Sequence, residues 1–468
     1  MPGLYQDWPV TVLGLGRFGG GAAAARFLAE QGARVTVTDL KPASELADVL
    51  AGLQDLRLDR LELGGHPSHV FTDCRMLVVN PAVPPSLPGL QVARERGADI
   101  TTEIDLFLRH QRGRVIGVTG SNGKSTTAAL IHHLLSAAGL PAWLGGNIGV
   151  SLLPQLPHIE HQHWVVLELS SFQLELLRPR KFRPEIAVLT SFAPNHLDWH
   201  GTLAAYRLAK QSLFSSQKST DFSILPCPDS TPSASPHDWR IRGRRHEFGI
   251  EDPGTDGAFF EQQMLILRTS HGRSEDCLPL TVPPQLPGNH NRCNLAAAAC
   301  AAWLAGASAA DFPKALSSWR PLPHRLQCVA ERGGRQFWND SIATTPESAI
   351  AALEHAHGRA ILLAGGYDKG QNLQPLADAI CKHARGVVLM GQTAPQLLQL
   401  LQNTTAGPHP PAPIAPDFPA AFRLAVEMSR PGDMVLLSPG CASYGWFRDY
   451  RDRGDQFTRM AQEWSPTA

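Results

Sequence analysis

Residues 114–135 read RVIGVTGSNGKSTTAALIHHLL. An apolar, β-branched run from Val115 to Val118 leads into a turn that is rich in glycine. Apolar residues then recur at helical spacing from Ala128 to Leu135. A strand, a glycine turn ending in Lys-Ser and a helix, in this order, are typical of a phosphate-binding P-loop. The stretch therefore predicts an α/β fold with an ATP site at the start of the helix.

The residue types of the turn suit polyphosphate binding. Backbone N–H groups of a glycine turn can surround phosphates, and the helix N-terminus adds positive potential. Lys124 can reach the terminal phosphates, and the Ser125 hydroxyl can ligate Mg²⁺. The strict motif GxxxxGK[ST] would place its first glycine where Val118 stands, so an ordinary strand–turn–helix with a chance lysine is the alternative. The predicted ATP-binding residues of the turn are Gly120, Ser121, Asn122, Gly123, Lys124, Ser125 and Thr126.

The composition indicates a globular protein with several domains. A chain of 468 residues exceeds what one hydrophobic core usually supports, so we expect roughly two to four domains. Lys plus Arg and Asp plus Glu number 42 each, which leaves no basic excess for nucleic acid or an anionic membrane. The eight cysteines contain no CxxC pair, which favours free thiols in a reducing compartment. The sequence has neither a signal-peptide pattern nor a long apolar run, so we expect a cytoplasmic protein without a membrane span.

Residues 10–39 carry a compact βαβ signal. Gly14, Gly16 and Gly19 form GxGxxG between a strand and a helix, and Asp39 closes the next strand. The pattern is typical of dinucleotide enzymes, in which the acidic residue meets a ribose. It is weak evidence by itself, because the same turn suits other phosphate ligands at a helix N-terminus. We predict a Rossmann-like domain over residues 1–110, with a dehydrogenase as one possible activity.

The next strands place polar residues at their carboxyl ends, where ligands collect in parallel sheets. A buried strand ends at Glu168, and the strand after it is followed by His196, Asp198 and His200. Two histidines with one carboxylate are weak evidence for zinc. The economical hypothesis is that Glu168 and one histidine hold a hard cation beside ATP, and the alternative is a structural histidine.

The rest of the chain continues the alternation of strands and helices. Residues 144–149, LGGNIG, are predicted to form a loop, and residues 227–280 a small antiparallel flank. Asn294 begins an alanine-rich helix, as a cap or as an amide that reads adenine. The proline-marked stretch 320–327 is the second domain junction, and residues 401–419 are predicted to be a surface loop.

The predicted fold is thus α/β in three domains. Residues 1–110 form a Rossmann-like domain, residues 111–321 a central P-loop domain with a parallel or mixed sheet and an antiparallel flank, and residues 322–468 a second Rossmann-like domain.

Several motifs occur in one order: TGSNGKST, ELSSFQLE, NHLDWHG, YRLAK, GNHN, PHR, NDSIATTPES and LLSPGCAS. This series resembles the Mur ligase family of peptidoglycan synthesis over essentially the whole chain, and is most similar to the members that add D-glutamate to UDP-N-acetylmuramoyl-L-alanine. In that family the missing first P-loop glycine is normal. The resemblance implies a monomer that uses ATP and two Mg²⁺ ions to make an acyl phosphate, which the amine of glutamate attacks.

The resemblance also implies roles for particular residues. The implied catalytic residues are Lys124, Glu168, His196 and Lys210. The implied metal ligands are Ser125, Glu168, His196 and, once carbamylated, Lys210. The implied ATP contacts outside the turn are Asn294, Arg325 and Asp340. The implied UDP-sugar contacts are Gly16, Arg17, Asp39, Lys41, Asn147 and Ser170. The implied glutamate contacts are Thr344, Lys369, Ser443 and Tyr450. The domains would then bind UDP-sugar, ATP and glutamate in chain order.

The sequence departs from the family pattern at two places. Ile342 stands where many D-glutamate-adding members carry lysine, and Pro194-Asn195 precede His196 where acidic residues are common. The first departure leaves an enzyme that adds L-glutamate as an alternative. A catalytically silent relative that binds muramyl nucleotide is a further alternative, which the intact Lys124, Glu168 and Lys210 disfavour. A dehydrogenase would leave these same residues unexplained.

Overall fold

The computed structural model describes residues 3–15, 19–81, 83–84, 86–148, 151–227, 239–269, 274–279, 282–283, 286, 288–356, 358–368 and 370–466. Within them the strands form three sheets, as the predicted three-domain α/β fold requires. Contacts group the chain into two compact units, residues 1–281 with 289–318, and residues 282–288 with 319–468. No helix among the described residues is long and apolar enough to cross a membrane.

The first sheet is parallel, with the order β3-β2-β1-β4-β5. Its strands are β1 (Pro9–Leu13), β2 (Arg34–Asp39), β3 (Arg60–Leu63), β4 (Met76–Val79) and β5 (Asp99–Thr101). Its helices are α1 (Gly20–Glu30), α2 (Ala47–Ala51), α3 (His69–Thr72), α4 (Pro88–Glu95) and α5 (Glu103–His110). The doubly wound order confirms the Rossmann-like prediction. Helix α1 packs closely on the first turn, because a Cβ on Gly21 would lie 2.4 Å from the Gly14 carbonyl oxygen.

The central sheet runs β14-β13-β12-β11-β10-β9-β6-β8-β7. Its strands are β6 (Arg114–Thr119), β7 (Ala142–Gly146), β8 (Trp164–Glu168), β9 (Ile186–Leu189), β10 (Phe222–Pro226), β11 (Arg244–Phe248), β12 (Gly257–Glu261), β13 (Met264–Thr269) and β14 (Ser274–Pro279). The strands from β7 to β12 are parallel, and β12, β13 and β14 pair antiparallel. The prediction of an antiparallel flank over residues 227–280 is confirmed only for β12 to β14, which extend the same sheet, and is wrong for β11, which pairs parallel with β10.

Helices cover the central sheet. They are α6 (Lys124–Ala137), α7 (Ser171–Leu177), α8 (Leu197–His200), α9 (Leu203–Ser215), α10 (Asn289–Leu304) and α11 (Phe312–Ser317). The prediction of a loop over residues 144–149 is wrong in its first half, since Leu144 pairs with Val166 and Gly146 with Glu168 in the parallel sheet. Glycines in a strand allow close backbone approach, and here a Cβ on Gly146 would lie 2.3 Å from the Glu168 carbonyl oxygen.

Arg180 joins the first sheet to the central domain within the first unit. It follows α7 and donates hydrogen bonds to the Asp105 carboxylate at 3.1 Å and to the Ile100 carbonyl at 3.1 Å. Arg109 binds the same Asp105 at 2.6 Å. One hydrophobic cluster also spans both sheets, from Val35 to Leu167. The first two predicted domains thus share buried contacts.

The third sheet has the order β15-β16-β19-β17-β18, with β15 antiparallel and the remaining pairs parallel. Its strands are β15 (Gln327–Arg332), β16 (Arg335–Asn339), β17 (Ala360–Ala364), β18 (Ala384–Leu389) and β19 (Met434–Leu437). Its helices are α12 (Pro346–His355), α13 (Gln374–His383), α14 (Ala394–Asn403), α15 (Phe418–Met428) and α16 (Tyr450–Glu463). Hydrophobic clusters lie on both faces.

The stretch 401–419 is more ordered than a surface loop. The carbonyls of Pro411 and Pro413 accept hydrogen bonds at 2.9 Å from Val387 and Leu389 of the edge strand β18. The Ala415 N–H donates in return to the Leu389 carbonyl at 2.9 Å, and Ile414 forms a parallel β-bridge with Leu389. The segment therefore pairs with the exposed sheet edge over a short stretch, and its prolines, which cannot donate a backbone hydrogen bond, limit that pairing.

Candidate active site

The carboxyl ends of β7, β8, β6 and β9 meet at one edge of the central sheet, because these neighbouring strands are parallel. The glycine turn follows β6, Glu168 ends β8, Asn147 follows β7, and Thr190-Ser191 follow β9. The sheet topology therefore brings together polar residues that lie far apart in the sequence, at the edge where α/β proteins bind ligands.

The turn has the conformation that the glycines permit. Gly123 adopts φ +82° and is the N-cap of α6. The helix begins at Lys124, so Lys124, Ser125 and Thr126, which were expected in the turn, are its first residues. A Cβ on Gly123 would lie 2.3 Å from the Asn294 side-chain oxygen. Asn294 accepts a hydrogen bond from Thr127 at 3.4 Å and donates one to Asn291 at 3.2 Å. Asn294 thus lies beside the turn, inside α10, and is not a helix cap.

Side chains from other elements form hydrogen bonds with the glycine turn. The Ser121 hydroxyl shares a 2.9 Å hydrogen bond with the Tyr206 hydroxyl, and the Ser191 hydroxyl accepts from the Asn122 N–H at 2.9 Å. Burial raises the pKa of Tyr206 to about 12, so it stays a neutral hydrogen-bonding group. Sequence reasoning did not assign Tyr206 or Ser191. Two features of the sequence could have indicated them: Tyr206 lies one helical turn before Lys210, and Ser191 comes just after a strand.

Two lysines approach the same turn. Lys124 Nζ donates to the carbonyls of Gly120 at 3.0 Å and Ser121 at 2.8 Å. Lys210, on α9, is only 1% exposed and donates to the Gly120 carbonyl at 2.7 Å. Burial, reinforced by the positive charge of Lys124, lowers the pKa of Lys210 well below its ordinary value, while Glu168 acts in the opposite direction. Lys210 is therefore a buried amine whose surroundings favour its neutral form.

Glu168 has one carboxylate oxygen available for a ligand. It is 2% exposed, and its Oε1 accepts a 2.9 Å hydrogen bond from the Asn147 amide. Its Oε2 is buried and has no hydrogen-bond partner among the residues that the structure describes. A buried carboxylate oxygen without a donor is costly, and a hard cation would satisfy it. The predicted Mg²⁺ role thus fits the donor chemistry at this position.

His196 lies between α7 and α9. It adopts a left-handed backbone, φ +54°. The centroid of its ring lies 4.8 Å from that of Phe172 and 6.4 Å from that of Tyr206. His200 shares a 2.9 Å hydrogen bond with Ser171, which favours a structural role for that histidine. No three His, Cys, Asp or Glu side chains group as a metal site in the described part of the chain. Mg²⁺ usually takes one or two protein carboxylates together with substrate phosphates, so a site around Glu168 does not need such a group.

The predicted UDP-sugar residues have local structural partners. Both carboxylate oxygens of Asp39 accept backbone hydrogen bonds, from Leu15 at 2.9 Å and Lys41 at 3.0 Å. Ser170 caps α7 in a reciprocal pair with Gln173. Gly16 and Arg17 lie outside the described residues, as does Lys369. Asp39 therefore shapes the turn after β1 as well as the loop that it begins.

In the second unit, Asp340 and Thr344 lie on the loop after β16 and Ser443 on the loop after β19, whereas Arg325 precedes β15. Asp340 follows β16, and its carboxylate accepts from the Leu326 N–H at 3.0 Å and the Ser438 hydroxyl at 2.7 Å. Burial raises the pKa of Asp340 to about 6, against the effect of these bonds and of Arg325. The Gly440 N–H donates to the Ala343 carbonyl at 2.9 Å, which ties the loop of Thr344 to that of Ser443.

Tyr450 lies beside the same loops. It begins α16, and its carbonyl accepts a 2.7 Å hydrogen bond from Ser341. Thr344, Ser443 and Tyr450 are thus gathered around one edge of the third sheet. The buried Arg453 bonds to Ser341 in the same place, and sequence reasoning did not assign it.

Models of three Mur ligase domains match the chain. The MurD-like N-terminal domain matches residues 9–102, the Mur ligase middle domain residues 118–302, and the glutamate ligase domain residues 324–441. The chain belongs to the Mur ligase family. The matched segments follow one another in the same order as the three sheets of this Mur ligase.

Curated relatives match along nearly the whole length. A UDP-N-acetylmuramoylalanine–D-glutamate ligase of Symbiobacterium thermophilum is 37% identical, with 99% of each chain covered. A protein of the same name from Roseiflexus sp. is 39% identical, with 97% of this Mur ligase and 98% of the relative covered. Among solved structures, a UDP-N-acetylmuramate-alanine ligase of Thermotoga maritima has a TM-score of 0.62 at 18% identity, covering 97% of this chain and 99% of that one. This likeness concerns the fold, and confirms the three-domain α/β architecture.

Proposed function

We propose that this chain is an ATP-dependent ligase that adds D-glutamate to UDP-N-acetylmuramoyl-L-alanine. The printed names of the relatives supply the substrates. The observation that carries the proposal is the arrangement at the central sheet edge, where the glycine turn with Lys124 follows β6 and the unpartnered oxygen of Glu168 ends the neighbouring strand β8. This pair of features suits a reaction between a polyphosphate and a carboxylate.

The proposed chemistry has two steps. The terminal carboxylate of the nucleotide peptide attacks the γ-phosphate of ATP, which gives an acyl phosphate and releases ADP. The amine of glutamate then attacks the acyl carbon, which forms the amide, releases phosphate and loses a proton. Lys124 is well placed to exchange its bonds to the Gly120 and Ser121 carbonyls for phosphate oxygens, because a lysine is a strong point charge for phosphate.

Mg²⁺ would supply charge neutralisation for the phosphates. We propose Ser125, Glu168 and His196 as its protein ligands, with two ions in total. We further propose that Lys210 is carbamylated. Its buried position beside Gly120 supports this assignment, because an uncharged amine reacts with CO₂ and the resulting carbamate is an anion that a cation could bind. An unmodified ammonium would repel the ion.

The three ligands are assigned to the three domains in chain order. We propose that residues 1–110 bind the UDP-sugar through Gly16, Arg17, Asp39 and Lys41, with Asn147 and Ser170 near the reacting carboxylate. We propose that residues 111–321 bind ATP, completed by Arg325 and Asp340, with Asn294 on the adenine. We propose that residues 322–468 bind glutamate through Thr344, Lys369, Ser443 and Tyr450. The gathering of Thr344, Ser443 and Tyr450 at one sheet edge supports this last part. We also propose that the enzyme is a cytoplasmic monomer.

One assay tests the proposal. Purified protein is given UDP-N-acetylmuramoyl-L-alanine, ATP and Mg²⁺ with either D-glutamate or L-glutamate, and phosphate release is measured. Release that depends on D-glutamate supports the proposal. Release only with L-glutamate would favour an L-glutamate-adding enzyme, and no release with either would favour a silent muramyl-nucleotide-binding relative.

A further inference from the structure

Arg453 occupies a position that is unfavourable for a cation. It lies in the first turn of α16 and is 0% exposed. Burial lowers the pKa of its guanidinium to about 9. Helix N-termini disfavour positive charge, and a buried guanidinium is costly unless its donors are satisfied. Specific local bonds must therefore offset the cost of this residue.

The hydrogen bonds of Arg453 reach two separate loops. Its Nε donates to the Ser341 hydroxyl at 2.9 Å and its Nη2 to the Ser341 carbonyl at 2.7 Å. Its Nη1 donates to the Cys441 carbonyl at 3.2 Å. The acceptors in these bonds are a hydroxyl and backbone carbonyls, and not carboxylates. Arg453 thus acts as a clamp: its hydrogen bonds fix the backbone at Ser341 relative to the backbone at Cys441.

The two loops carry residues of the proposed site. Ser341 directly follows Asp340 at the end of β16, and Cys441 precedes Ser443 by two residues in the loop after β19. Strands β16 and β19 are parallel neighbours. The Ala442 carbonyl accepts a 2.8 Å hydrogen bond from Tyr367, so the loop after β17 is connected to the same clamp.

We propose that Arg453 is a positioning residue of the ligase reaction. Its guanidinium sets the spacing between the Asp340 loop, which meets ATP, and the Ser443 loop, which meets glutamate. It does not contact either substrate. The inference rests on the proposed function. It requires the planar fork of arginine, because the ammonium of lysine cannot bind Ser341 and Cys441 in the same geometry.

The test compares Arg453→Lys with Arg385→Lys. Arg385 donates to Asp433 at 2.7 Å and to the Met428 carbonyl at 3.0 Å, and it lies at the amino end of β18, away from the carboxyl-end loops. We expect Arg453→Lys to reduce kcat/KM for ATP and for glutamate about 30-fold, since small misplacements of reacting groups are costly. The KM for the UDP-sugar should stay unchanged, and Arg385→Lys should keep wild-type kinetics.

A second variant keeps the test decisive if Arg453→Lys does not fold. Ser341→Ala removes the hydroxyl acceptor of Arg453 together with the Ser341 hydrogen bond to the Tyr450 carbonyl, and we expect the same pattern at about 5-fold. Unchanged kcat and KM values in a folded variant would overturn the inference. A loss that only follows the folded fraction, with every KM unchanged, would assign Arg453 a purely structural role and overturn it as well. A wild-type protein that releases no phosphate would instead overturn the proposed function, and this inference with it.

Discussion

Lys210 Nζ donates a 2.7 Å hydrogen bond to the Gly120 carbonyl, which joins helix α9 to the glycine turn. The proposed carbamate would place a negative charge at this buried point. We therefore expect Lys210→Ala to reduce phosphate release at least about 100-fold, because a preorganised charge at the reacting phosphates is lost. Formate or acetate should restore part of the activity by occupying the vacated space.

Lys210→Met is the control for this rescue. Its side chain fills the same space without a charge, so added acid should restore little. Equal rescue of both variants, or full activity of Lys210→Ala without acid, would contradict the carbamate assignment.

Glu168→Gln tests the cation role of the unpartnered oxygen. The amide keeps the size of the side chain and removes its charge, so we expect activity to fall about 100-fold or more and the Mg²⁺ requirement to rise. The melting temperature should not fall, because a buried uncompensated charge has been removed. Phosphate release is measured across a Mg²⁺ titration.

Glu247→Gln is the matched control. Glu247 is also buried in the central sheet, on β11, but it is paired with Arg245 at 2.9 Å. This variant should lose stability and keep its Mg²⁺ dependence. A similar change in Mg²⁺ dependence for both variants would argue against a specific role of Glu168.

Gly123→Ala should weaken ATP binding. A left-handed backbone costs alanine roughly 1–2 kcal/mol, and the new Cβ would also meet Asn294 at 2.3 Å. Gly139, after the other end of α6, has φ +73° and no atom within 4 Å of an added Cβ, so Gly139→Ala carries only the backbone cost. Calorimetric titration with ATP should show weaker binding for the first variant alone, and equal affinities would contradict the described turn.

Asp340→Asn should change how stability depends on pH. The pKa of about 6 in the folded state lies above the ordinary 3.8. The folded state therefore holds a proton that the unfolded state releases, and the stability from this proton is complete below about pH 4 and lost as the pH rises through 6. Asparagine is neutral throughout, so the variant should gain about 3 kcal/mol at pH 8 relative to wild type, and far less at pH 4.

Thermal unfolding at both pH values measures this effect. Asp221→Asn provides a control of opposite sign. Burial acts to raise the pKa of Asp221, but hydrogen bonds and charge from Arg183 hold it below its usual value, so this variant should lose stability at neutral pH. A pH-independent difference for Asp340→Asn would contradict the buried, proton-binding carboxyl.

The elements that could be predicted are those set by neighbouring residues in the sequence. The β-branched run before Gly120 and the apolar periodicity after Lys124 predict β6 and α6, because both depend on neighbouring residues. Leu144–Gly146 could not be assigned in this way, since these residues form a strand only through pairing with β8. Residues 411–415 likewise follow the edge of β18 through long-range hydrogen bonds.

Site residues could be proposed from the sequence where a motif carries its own chemistry, as at Lys124 and Glu168, and their roles stay predictions. Tyr206 was missed because its partner Ser121 is 85 residues away in the sequence. Arg453 was missed because it stands in a charged helix start, DYRDRGDQF, which is typical of a solvated surface. Only the packing of α16 on the third sheet shows that this arginine is buried.

The most direct test of the account is the product formed from UDP-N-acetylmuramoyl-L-alanine, ATP and an equal mixture of D-glutamate and isotopically labelled L-glutamate. Mass spectrometry reports which enantiomer has been joined. We expect a product that carries one unlabelled glutamyl residue, together with one ADP and one phosphate per product. A labelled product, or ATP hydrolysis without any amide product, would contradict it.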